Sequence, residues 1–64
     1  MNKESRINLE VFVAKHRAAA NRQALANDGY GWFDIGNLMR EALEDVAYLS
    51  DEDLQGEADG WKTY

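Results

Sequence analysis

The 64-residue sequence contains no cysteine, no proline and a single histidine, His16. Without cysteine, disulfide staples, iron–sulfur clusters and thiol catalysis are excluded within one chain, and one histidine cannot complete a zinc finger. No apolar run approaches the ~18 residues that span a bilayer. The start, Met1-Asn2-Lys3-Glu4-Ser5, is not followed by a signal-type apolar stretch. The expectation is therefore a soluble, cytoplasmic protein without membrane contact and without a cofactor. Residues 1–64 suffice for one small domain. A chain this short buries only about 60% of the surface it exposes when unfolded, and a lone core below roughly 70 to 80 residues rarely supplies more than ~3 to 5 kcal/mol. Nothing covalent or metallic reinforces such a core, so a homo-oligomer is expected.

Positive charge is scarce in the second half. Residues 28–64 hold only Arg40 and Lys62 against ten acids, a balance of −8, whereas residues 1–27 hold five basic residues and two acids, a balance of +3. The molecule is electrically bipolar. Its acidic half repels duplex DNA and anionic membranes and attracts a basic protein surface.

Hydrophobic spacing predicts an all-α chain: an antiparallel hairpin of one helix over about 5–27 and another over about 34–49, with a short third helix over about 51–55. In the first, Ile7, Val11, Ala14, Ala18 and Leu25 form one row. Leu9, Phe12, Val13, His16 and Ala20 form a second row nearly opposite. One partner helix cannot cover both, so the second row is assigned to self-association. A rival pattern exists, because Ile7, Leu9, Val11 and Val13 also alternate as a strand over 7–13 would, giving an α+β chain. The second helix is one-faced: Asp34 is its expected cap, and Ile35, Leu38, Met39, Ala42, Leu43, Val46 and Leu49 share a side. Ser50 and Asp53 resemble a capping pair for the third helix, with Gly56 as its stop and 57–64 as a loose tail.

Motifs for chemistry are weak. Residues 51–62 place acids at positions 1, 3 and 9 and glycine at position 6 of a calcium loop, but Lys62 stands where the bidentate glutamate belongs, so no metal site is assigned. His16 lacks a second positioned group, exposed carboxylates offer no contrast in environment, and Gly29-Tyr30-Gly31 lacks the rest of a phosphate loop. No catalytic residue is assigned, and an enzyme is not expected. Lys15, His16, Arg17 and Arg22 form no single dense basic stripe, which weighs against direct nucleic-acid binding.

What remains is surface. Glu41, Glu44, Asp45, Asp51, Glu52 and Asp53 are assigned to an acidic protein-binding patch, and Tyr30, Trp32 and Phe33 to an aromatic contact loop, since such rings anchor protein interfaces. The expected function is a non-enzymatic interaction module that regulates or inhibits a larger, nucleic-acid-handling protein with a basic surface. By analogy of class alone, this is similar to the small acidic inhibitors carried by phages and mobile elements. The alternatives are a dimeric DNA-binding regulator using the basic first helix and a structural subunit of an assembly.

Overall fold

The computed structural model describes residues 1–27 and 35–63, which form three helices: α1 (Lys3–Asn27), α2 (Ile35–Val46) and α3 (Asp51–Lys62). The chain is all-helical, with no strand among the described residues. The strand expected over 7–13 fails for a geometric reason. A strand would put Ile7, Leu9, Val11 and Val13 on one side, whereas the helix splits them. Leu9 and Val13 face the core, while Ile7 and Val11 stay 49% and 43% exposed.

α1 begins two residues before the predicted start, because the Asn2 side chain accepts the Ser5 N–H at 2.8 Å and caps the first turn. α1 packs on both other helices, which is why its apolar residues are spread around the axis. The core draws a pair from each helix: Val13 and Ala14, Ala42 and Val46, Leu54 and Ala58. Three of these six are alanines, so backbones come close and the aliphatic bulk rests on Val13, Val46 and Leu54, each fully buried. Leu9, Phe12, Met39, Leu43, Leu49 and Trp61 pack around it.

α2 stops at Val46, short of the predicted 49. Ala47 N–H still reaches the Leu43 carbonyl, then the chain tightens through Tyr48 N–H to Asp45 and Leu49 N–H to Val46. A helix end leaves carbonyls without intrahelical donors. Arg6 of α1 serves them: its Nη2 donates to the carbonyls of Val46, Ala47 and Leu49 at 3.3, 3.3 and 2.6 Å. The same guanidinium binds Glu10 at 2.7 Å and Asp51 at 2.8 Å. One arginine thus fastens the end of α2 and the start of α3 to the first turns of α1.

Ser50 caps α3 as expected, its Oγ accepting Asp53 N–H at 3.1 Å. The helix does not stop at Gly56, however. It continues through Gly60 to Lys62, so residues 57–62 are ordered helix where a loose tail was predicted. Each helical glycine loses about 1 kcal/mol against alanine. Tertiary contacts downstream outweigh that: Ala58 is fully buried and Trp61 packs against the core. Both glycines lie on the outer side, where an added Cβ would meet nothing within 4 Å.

Candidate functional site

The carboxylates fall into two groups. Asp51 on Arg6 and Glu57 on Arg17 join α3 to α1, and Glu10 pairs with Arg6 one turn away within α1. Asp51 also lies 3.6 Å from the chain's N-terminal ammonium. Of the six residues assigned to the acidic patch, Asp51 is therefore a structural partner. Glu41, Glu44, Asp45, Glu52 and Asp53 are exposed and make no ion pair among the described residues. They divide between the outer side of α2 and the first turn of α3, the two segments that Arg6 brings to one corner.

The turn at that corner carries Tyr48, 91% exposed. Sequence reasoning missed this residue because the row on the second helix runs through Val46 and Leu49 and passes it by. The aromatic residues that were singled out, Tyr30, Trp32 and Phe33, lie outside the described residues, as does Asp34.

The second row of α1 is brought together, but under α3. Val13 is fully buried, and Leu9 and Phe12 pack on the core. His16 is sandwiched, stacked on Trp61 at 5.3 Å and 16° and meeting the edge of Phe12 at 4.6 Å and 61°. Lys62 Nζ stands 5.9 Å from the Phe12 centroid. Ala20 alone of the row is exposed. The face assigned to self-association is thus occupied within the chain.

Beside this stack runs the polar half of the seam. Arg17 Nε donates to Glu57 Oε2 at 2.6 Å while Nη2 donates to Oε1, a two-pronged pair, and Trp61 Nε1 donates to the same Oε2 at 3.2 Å. The Arg17 hydrogen bond holds the Glu57 carboxyl below its ordinary value, with Trp61 adding to the effect and partial burial opposing it. Arg17 is raised by the same bond, and the charge of Asp45 acts on it too.

These contacts divide further the basic residues that the sequence already placed on no single stripe. Arg17 and His16 face α3, leaving Lys15 and Arg22 exposed and without an ion pair among the described residues. They line an open groove of about 520 Å³ with Ala19, Gln23, Ala26 and Met39. The calcium-like stretch 51–62 is continuous helix, which fans Asp51, Asp53 and Asp59 around an axis instead of curling them about an ion. No helix among the described residues is long and apolar enough to cross a membrane. The chain matches no protein-family model, no curated protein and no solved structure.

Proposed function

We propose that the chain is a non-enzymatic interaction module, acting in the cytoplasm, that regulates or inhibits a larger protein by presenting carboxylates to its basic surface. The observation that carries this reading is the placement of Glu44 and Asp45. Both sit exposed in the last turn of α2, which holds no basic residue of its own, and neither makes an ion pair among the described residues. Asp45 is also one helical turn from Glu41, and like charges at that spacing destabilise a helix by ~0.2 to 0.5 kcal/mol. That like-charge spacing works slightly against the stability of a marginal domain, while the charge of Arg17 acts favourably on Asp45. A basic partner would offset the repulsion between Glu41 and Asp45. Glu52 and Asp53 extend the surface but argue less, since the start of α3 favours acids anyway.

The test is the triple variant Glu41→Gln, Glu44→Gln, Asp45→Asn. Its melting temperature should equal or slightly exceed that of the wild type. Its affinity for a basic partner captured from host cells should fall mainly through the association rate, with a flatter dependence on salt. Unchanged affinity and unchanged salt dependence would reduce this surface to a solubility coat.

A further inference from the structure

α3 shows what the second row of α1 is built to take. Its principal neighbour is α1, and the short turn 47–50 ties it to α2. On the docked side it offers buried Leu54 and Ala58, the Trp61 ring for His16 and the Glu57 carboxylate for Arg17. The charges match as well: α1 carries five basic residues and two acids, α3 five acids and one lysine. None of these contacts requires the two helices to belong to the same chain.

The helix is also weakly held in its own right. Twelve residues is marginal for an isolated helix in water. Gly56 and Gly60 weaken it further without serving packing, since the space outside them is open. Alanine at both positions would favour the helix by about 10-fold. α3 therefore stays helical because it is docked, its Leu54 and Ala58 completing the core against Val13 and its Trp61 covering His16.

We infer that α3 is an exchangeable helix, docking on α1 of its own chain in the single copy and on α1 of a second copy in a reciprocal dimer. The second copy brings the same leucine, alanine, tryptophan and glutamate, so exchange re-forms the α1–α3 seam without designing a new surface. Tyr48, exposed in the connecting turn, is the large ring at hand where two opened turns would cross. Arg6 opposes the exchange. Its bonds to the carbonyls of Val46, Ala47 and Leu49 belong to the closed turn and are lost when it straightens. The single copy therefore dominates when dilute and the dimer grows with concentration. This inference is independent of the acidic surface.

Charge reversal across the seam tests it. Arg17→Glu and Glu57→Arg should each lose α3 helicity, and the double variant should regain it within one chain. Mixed in equal amounts, the two single variants should form a heterodimer of twice the 7.3 kDa chain mass, because only exchange pairs Arg with Glu at both seams. Recovered helicity and a melting temperature above that of either variant alone should accompany it. A mixture that stays monomeric while the double variant recovers overturns the inference. So does a dimer that persists undiminished in Arg17→Glu alone, since it would use another surface. If the double variant does not recover, wild-type chains decide. Isotope-labelled and unlabelled protein should yield hybrid-mass dimers when unfolded and refolded together at about 1 mM but not when folded samples are briefly mixed, since exchange requires α3 to undock. Hybrids on brief mixing, or a strictly monomeric outcome, refute exchange.

Discussion

Replacing Gly56 and Gly60 by alanine should stabilise the protein, the opposite sign to most substitutions. Gly56 lies mid-helix in α3, so alanine there recovers the full propensity difference of about 1 kcal/mol. Gly60 lies in the last turn, where fraying reduces the gain to roughly half of that. Neither change meets a steric obstacle, because a Cβ added to either glycine finds no atom within 4 Å. The Thr63 N–H and hydroxyl both bond the Gly60 carbonyl, which a side chain leaves in place. The sum is about 1.5 kcal/mol, which is large beside a total of ~3 to 5 kcal/mol for a domain of this size. With unfolding entropy near 2.1 cal/mol/K per residue, each kcal/mol shifts the melting temperature of 64 residues by about 7 °C, so the double variant should melt roughly 10 °C higher. Thermal melts followed by circular dichroism at 222 nm measure this directly, with Gly56→Ala alone giving about two thirds of the shift. A neutral or negative result for Gly56→Ala would mean that the outer side of α3 is not free, and the account of why the helix runs past its glycines would be wrong.

Leu54→Ala should leave the chain largely unfolded at 25 °C, because removing a fully buried leucine costs about 2 to 5 kcal/mol and the core has no more to spare. Leu54→Met should retain most of the helical signal, and a well-folded Leu54→Ala would show that α3 contributes little to the core. The Glu57 carboxyl is lower in the folded state than its ordinary value, so its contribution is full above that ordinary value and fades as pH falls through the depressed one. The melting-temperature gap between wild type and Glu57→Gln should therefore be widest near neutrality and close in acid. A gap independent of pH would place the effect of Glu57 in packing instead of charge.

The first two helices were legible in the sequence because their signals are local. Leu38, Ala42 and Val46 recur at helical spacing and are all buried, and Ser50 with Asp53 forms the cap its spacing implied. The two apolar rows read on α1 hold only in part: Leu9, Phe12, Val13 and His16 of the second are covered, whereas in the first Ala14 and Ala18 are buried and Ile7 and Val11 stay exposed. What covers the second row was not legible, because Gly56 reads locally as a stop. The contacts that carry the helix past it, Glu57 to Arg17 and Trp61 to His16, join residues about forty positions apart. The same distance hid the role of Arg6, whose carbonyl acceptors lie 40 to 43 residues away.

For the candidate surface, the sequence determined how many acids there are and on which helix they lie. Only the tertiary structure separated Asp51 and Glu57, paired with arginines, from Glu41, Glu44 and Asp45, which are unpaired among the described residues. Local sequence sets helix periodicity and charge because both depend on neighbours within a turn or two. Which charges are neutralised and which apolar faces are covered depends on packing between distant segments, and that is decided only when the helices meet.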